Sequence, residues 1–593
     1  MPLFTTKERQ SYEKVLNQYS PALEANISTK TLELFKRAYA MDKYNTPWEK
    51  AFSDYGATQD DGWSNSEHLI TGTKYYFSSS TGNDNNDGLT PATAKKTVIA
   101  ALTILRDSPA GTGVLFKRGD IWDASNGFEN YTGYSKDAIG TVDNPMVISC
   151  WGVGNLPKFT SLAPAALTWT DNGDGTWYSE DMYAPNNKIS GLMLNGIWGI
   201  ASSTLSGLLT EDGAKWYHDS GAGRLYVNTD PVAFIDIQFA QHLSWFRFAA
   251  NTRSLNISYL EIGHNRDSNI QLQYSTISNV SIHNCTLGEK SNRSVIYSGV
   301  NFSFYNNIMN AKEPDSSRYH ATSHTCYGFE GLYVVIPDDA VGNISIINNT
   351  FKDFKHANIL VTKADGLKVE DNIAINITKN ILTMADWLDY GGSYSIEALV
   401  NNVSFNNNLL YKVKNVQLTG TTTVEYNIFY KTKDSDLDTK SGGNIGYAIQ
   451  NNQRTDQPYS PSIANNVMFK CDSGGVMIQS NFNGVMDGMI TEKNIMFMNG
   501  QRTMHPTATT NKGVQFMLFA LDSRYTYQPI NTITRDNVMF SEYTDKVIYY
   551  GRGDEQTNNE NYLSIEEAQS KTYSDGTVFE RNVNVDLAEL VEV

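Results

Sequence analysis

"ISIINNTF", Ile344–Phe351, sets two adjacent asparagines between apolar residues. The arrangement returns in "VSIHNCTL" (280–287), "FSFYNNIM" (302–309), "VSFNNNLL" (403–410), "TVEYNIFY" (423–430), "SIANNVMF" (462–469) and "TEKNIMFM" (491–498). Aligned on the second asparagine, the slot holds Ile262, Cys285, Asn307, Asn349, Asn372, Asn408, Asn427, Asn466, Asn494 and Asn537. Its shorter intervals are roughly 22 residues, the length of one solenoid turn, and the longer ones are a turn plus an insertion. Asparagine tolerates the left-handed conformation of a sharp bend, and stacked asparagines can hydrogen-bond from turn to turn. The flanking Phe304, Met309, Ile346, Phe351, Phe405, Leu410, Ile463 and Met468 alternate with polar residues, so they are expected to stack into one continuous core.

The composition agrees with a β-rich globular chain. Of 593 residues, 19% are charged and 12% aromatic, with 34 tyrosines. The net charge of −17 argues against nucleic acid or a membrane surface as partner. No apolar run is long enough to span a bilayer, and "MPLFTTKERQSYEKVLNQ" has no apolar signal core. Cys150, Cys285, Cys326 and Cys471 are widely spaced and read as free thiols; neither metal nor cofactor is implied. Asn-x-Ser/Thr matches at Asn279, Asn343, Asn348 and Asn402 fall on the repeat itself, where glycans would obstruct the stacked turns.

The repeat resembles that of the pectate-lyase-like superfamily, whose members are right-handed parallel β-helices with an asparagine ladder. The likeness spans roughly 75–580. "YYFSSSTGNDNNDGLTPATAKKTVIAALTIL" (75–105) resembles the family's helix-capped entry, "GVLFKRGDIW" (113–122) its first coil and "YLSIEEAQSKTYSDGTVF" (562–579) its closing segment. The fold class expected is therefore all-β, a right-handed single-stranded parallel β-helix with additions. These are a helical N-terminal appendage over 1–60, a helix-capped start over 61–164, a small Trp-rich β insertion over 165–232, the main β-helix with groove loops over 233–580, and a tail over 581–593. The fold hosts lyases, hydrolases, epimerases and adhesins, so it does not by itself fix the chemistry.

Insertions near 310–326, 377–393, 431–445 and 500–513 precede the extended runs 327–335, 394–400, 446–451 and 514–521. Repeated at one point of successive coils, they would wall a groove suited to a polymer, which is where the resembling family binds its substrate. Alternation within the runs sets Glu330, Thr362, Glu397, Gln417, Gln450 and Gln479 in one outward polar column. Glu330 and Glu397 would lie two coils, on the order of 9 to 10 Å, apart. That is near the upper end of the roughly 6.5–9.5 Å of an inverting glycosidase. Asp386 and Asp389 join them beside Trp387 and Tyr390, rings able to stack on sugars and to raise a carboxyl pKa. His320, His324, Lys363 and Gln417 are candidate substrate-binding residues, and His324 and Lys363 would serve a lyase. The calcium-binding aspartates of pectate lyases and the paired aspartates of polygalacturonases have no counterpart here.

The resemblance points most toward a bacteriophage tailspike depolymerase. It implies hydrolysis of capsule, exopolysaccharide or O-antigen, a homotrimer, and a virion-tail location with the N-terminal helices meeting a tail or baseplate protein. A uronate-cleaving lyase, a non-catalytic glycan adhesin and a secreted bacterial protein are the alternatives.

Overall fold

The computed structural model describes residues 27–584 apart from a set of stretches, the longest being 124–136, 181–190, 311–329, 385–401, 432–446, 454–460, 500–513 and 521–529. The chain forms a parallel β-helix. Each complete coil carries three strands, and every strand pairs in parallel with its counterpart one coil away. The first face stacks Ile344–Ile347, Leu367–Glu370, Val403–Asn406, Thr422–Glu425, Ser462–Ala464, Ile490–Glu492, Ile533–Arg535 and Val578–Glu580. The second stacks Thr350–Lys352, Ile373–Ile377, Leu409–Val413, Ile428–Tyr430, Val467–Phe469, Ile495–Phe497 and Val538–Phe540. The third stacks Glu330–Val335, Ile359–Thr362, Leu382–Met384, Val416–Leu418, Tyr447–Gln453, Gly474–Ser480, Phe516–Ala520 and Ile548–Arg552.

The corner between first and second faces takes two residues, and each does a different job. The first adopts the left-handed conformation: Asn306, Asn348, Asp371, Asn407, Tyr426, Asn465, Lys493, Asp536 and Arg581 have φ between 48° and 58°. The second is the buried ladder. The main-chain N–H and the side-chain amide of Asn372 both donate to Oδ1 of Asn408 at 3.0 Å, and Asn408 does the same to Asn427 at 2.8 and 3.0 Å. The chain of amides runs Asn307, Asn349, Asn372, Asn408, Asn427, Asn466, Asn494, Asn537, Asn582. So the ladder asparagine is not the bent residue, contrary to the expectation from sequence. Its neighbour takes the bend, and burial of a satisfied amide is what fixes asparagine in the slot. Asn582 joins the ladder unforeseen. In the coil before Cys285 the slot belongs to Leu260, not Ile262: Thr286 N–H donates to the Leu260 carbonyl as Ile308 N–H does to that of Cys285.

Inside, the expected apolar residues stack; Phe304, Met309, Ile346, Phe351, Phe405, Ile463 and Met468 are fully buried and Leu410 nearly so. The helix Val98–Asp107, N-capped by Thr97, closes the N-terminal end with Val98, Ala101, Leu102 and Leu105. Between early coils, two small sheets occupy 162–240, antiparallel but for one parallel pair of Ile200–Ala201 with Ala214–Asp219. There Trp216 is fully buried and donates its indole N–H to the Gly199 carbonyl at 2.8 Å, a structural use. Cys150, Cys285 and Cys471 are buried free thiols.

The N-terminal helix Thr29–Lys43 lies against the outer side of the second face. Leu32, Phe35, Ala38 and Met41 pack with Phe52 and Tyr55 over Ile373, Leu409, Ile428, Val467, Ile495 and Val538. Beside them Tyr411, Tyr430, Phe469, Phe497 and Phe540 form a stack with ring centroids 5.0–5.7 Å apart. Asp42 pairs with Lys431 at 3.2 Å and with Lys470, and accepts from the Tyr430 hydroxyl at 2.9 Å.

Candidate functional site

The faces meet at unequal corners. First and second are joined by the two-residue asparagine turn, as at 348–349, 371–372 and 426–427. Both borders of the third face instead receive long connections. Residues 311–329, 431–446 and 498–515 lead into its strands, and 385–402, 454–461, 481–489 and 521–532 lead out of them. The long connections thus fall where the chain enters and leaves third-face strands at several coils, although Val416–Leu418 is reached through 414–415 and left through 419–421 alone.

Its register is read from the strand pairs. The core-facing row Leu332, Ile359, Leu382, Val416, Ile449, Val476, Phe516, Ile548 has every described side chain fully buried. One residue on lies the intermediate row Gln271, Ile296, Tyr333, Leu360, Thr383, Gln417, Gln450, Met477, Met517, Tyr549. The row is covered at its ends, where Gln271, Ile296 and Tyr549 are 8%, 2% and 0% exposed. Tyr549 packs there on Tyr562 at 4.9 Å. Between these ends Tyr333 is half-buried.

This register revises the column expected from sequence. Gln417 and Gln450 are neighbours in one row, as expected. Gln479 is not in that row; it pairs with Asn452, two residues further along the strand. Thr362 likewise belongs with Val335 in that next row. Glu330 opens its strand in register with Arg293. The strand of the coil expected to carry Glu397 is Leu382–Met384, and Thr383 occupies the row position beside Gln417. Pairing with Ile359–Thr362 is made by Leu382–Met384, so the long connection follows that strand, and "YSIEALV" falls outside the described residues. Asp386, Trp387, Asp389, Tyr390 and Glu397 fall in that following stretch, and His320 and His324 in 311–329; with Lys363 and the side chains of Glu330 and Gln417 they lie outside the described residues. Thr383 carried no sequence signal, because its strand is three residues long.

At the C-terminal end of the third face Tyr550 donates its hydroxyl to Asp575 and packs on Tyr573 at 4.6 Å. Burial, and then the Asp575 carboxylate, push the Tyr550 phenol far above its ordinary range; burial pushes Tyr573 up to about 12. Both are therefore neutral hydroxyls at physiological pH. Among the described residues no cluster of His, Cys, Asp or Glu could hold a metal ion, and no helix is long and apolar enough to cross a membrane.

No protein-family model matches the chain, and no curated protein matches it significantly. Solved structures similar to it include XylC with xylose, at 9% identity over 86% of this chain and 82% of that one, TM-score 0.37. A mannuronic acid specific polysaccharide family 6 lyase from human gut microbiota is similar at 9% identity over 87% and 92%, TM-score 0.40. The GH136 lacto-N-biosidase from Eubacterium ramulus is similar at 14% identity over 73% and 65%, TM-score 0.36. Likeness this distant leaves the chemistry of the chain to its own residues.

Proposed function

We propose that the protein is a glycan-degrading enzyme that works along the third face. The observation carrying this reading is the face of stacked parallel strands whose connections, at several coils, are long on both the entering and the leaving side. A rigid, elongated surface suits a polymer, and the chain's net charge of −17 disfavours nucleic acid as that polymer. The finer reading is hydrolysis. One carboxyl group among Glu330, Asp386, Asp389 and Glu397 would protonate the leaving oxygen while another, ionised, activates water. Glu330 enters from one border, and 385–400 leaves from the other, two strands away. The substrate class is a bacterial surface polysaccharide, with the protein acting as a tailspike-like homotrimer.

Incubation with capsule, exopolysaccharide and O-antigen panels separates the outcomes. New reducing ends without an unsaturated uronate chromophore are expected. The chromophore would transfer the assignment to β-elimination, with His324 and Lys363 next to be replaced. Binding without any new end would make the protein an adhesin. Replacement of each acid by its amide, with folding checked by thermal melt, is expected to slow cleavage by about 10² to 10⁴ for a true acid or base. Four near-normal variants would place the site elsewhere.

A further inference from the structure

We infer that Arg247, at the N-terminal end of the third face, receives an oxyanion carried by the glycan, a sugar carboxylate or a sugar phosphate. This rests on the glycan reading above and narrows its substrate class to polymers with an anionic unit.

Arg247 pairs with Gln271, and so heads the row that continues through Ile296 and Tyr333. It stands between Phe246 and Phe248, both buried in the core, so alternation turns its own side chain away from the interior. That side chain is half-buried. Its surroundings are polar yet withdrawn from solvent. Gln271 is nearly buried; Asn269, two residues earlier on the same side of the strand, is fully buried and donates to the Ser294 hydroxyl at 3.4 Å.

The Nε–H of Arg247 is buried, and among the described residues it has no hydrogen-bond partner. The other half-buried arginines are all engaged: Arg37 with Asp54, Arg118 with the Gly154 and Ser64 carbonyls, Arg224 with Glu180 and Arg535 with Glu492. A guanidinium donor withdrawn from water without a partner lowers stability, more than a neutral donor does. The chain has 64 Asp and Glu against 47 Lys and Arg, so an anionic partner could readily have been supplied from within. The side-on edge of arginine, Nε–H with one Nη–H, matches two oxygens of a carboxylate or a phosphate. A neutral sugar hydroxyl would accept from the donor and leave the charge uncompensated. An oxyanion answers both.

The experiment measures the melting temperature of the full chain with glucose, glucuronate and glucose 6-phosphate at equal ionic strength, beside cleavage of the polysaccharide panels. A rise with glucuronate or glucose 6-phosphate, and none with glucose, is expected; which of the two raises it separates carboxylate from phosphate. Arg247→Met keeps the stem and removes the charge. It is expected to weaken binding of the anionic sugar about tenfold or more, the loss of a charge-assisted contact, and without sugar to melt no lower than wild type. Arg247→Lys should keep part of the response. If Arg247→Met does not fold, Arg247→Gln takes its place. A lower melting temperature of the uncharged variants without sugar would give the guanidinium to the fold and overturn the inference. So would equal responses to all three sugars, or a response to the anionic ones that the uncharged variants retain. A response lost in those variants, with no polysaccharide cleaved, keeps the oxyanion site and removes the enzymatic reading. Cleavage by a wild type that answers none of the three sugars keeps the enzymatic reading and removes the site.

Discussion

At the residue scale, the paired asparagines separate two demands that one side chain cannot meet. The left-handed position accepts Tyr426, Lys493, Asp536 and Arg581 as well as asparagine, because it needs only backbone tolerance and an outlet for the side chain. The ladder position needs an amide of one length, with oxygen and nitrogen both engaged. Asn408 accepts from Asn372 and donates to Asn427 and to the Val369 carbonyl. Asn408→Ala leaves several buried groups without partners at about 1–3 kcal/mol each, so a marked fall in the denaturant midpoint is expected. The opposite sign is expected at the C-terminal end of the core. Thr491 and Thr534 face each other on adjacent strands, fully buried, and neither hydroxyl has a hydrogen-bond partner among the described residues. Thr534→Val keeps the shape and removes an unsatisfied hydroxyl, so chemical denaturation should report equal or higher stability. The ladder was legible from sequence because asparagine recurs there. The division of labour inside each pair was not, since two adjacent asparagines look alike until one is seen buried and the other bent.

Among the elements, strands of the first and second faces were legible, and those of the third only in part. A two-residue corner pins the phase of what precedes and follows it. The third-face strands float between connections of variable length, so alternation alone could not choose between Leu382–Met384 and the run at 394–400. The amphipathic spacing of Thr29–Lys43 was equally legible, but not its seat, because the outer side of the second face carries no periodic signal of its own beyond Ile373, Leu409, Ile428 and Val467. Each fully buried Leu, Met or Phe in this seat contributes about 1.5–3 kcal/mol. Removal of residues 1–56 should therefore lower the melting temperature and cause self-association, read by light scattering, through the exposed Tyr430–Phe540 stack. Asp42 fixes the register of the helix. Burial opposes its ionisation, but hydrogen bonds from Lys470, Tyr430 and Lys431, with the Lys470 charge, bring it below its ordinary value of 3.8. The unfolded chain then binds more protons than the native one near that value. Asp42's contribution is fully present above it and is lost as pH falls through the lowered one. Melting temperatures of wild type and Asp42→Asn should differ at neutral pH and converge on acidification.

For the molecule as a whole, stacked coils touch only their neighbours, and the helix Thr29–Lys43 is the exception. Phe35 meets Phe469 at 5.9 Å and Phe497 at 5.3 Å, and Thr31 reaches Asn465 at 3.3 Å. In refolding with pulsed hydrogen exchange, amides of 32–43 should gain protection after those of 467–469 and 495–497; simultaneous or earlier protection would contradict the order implied by this seat. The same geometry sets a schedule on the ribosome. The helix emerges well before its seat. At about 5–20 residues per second, its apolar side waits roughly half a minute to a minute and a half before residue 497 has been made. During that interval the nascent chain carries a ready amphipathic helix with nowhere of its own to lie, and whatever shelters it then, a chaperone or the growing chain itself, must release it on time.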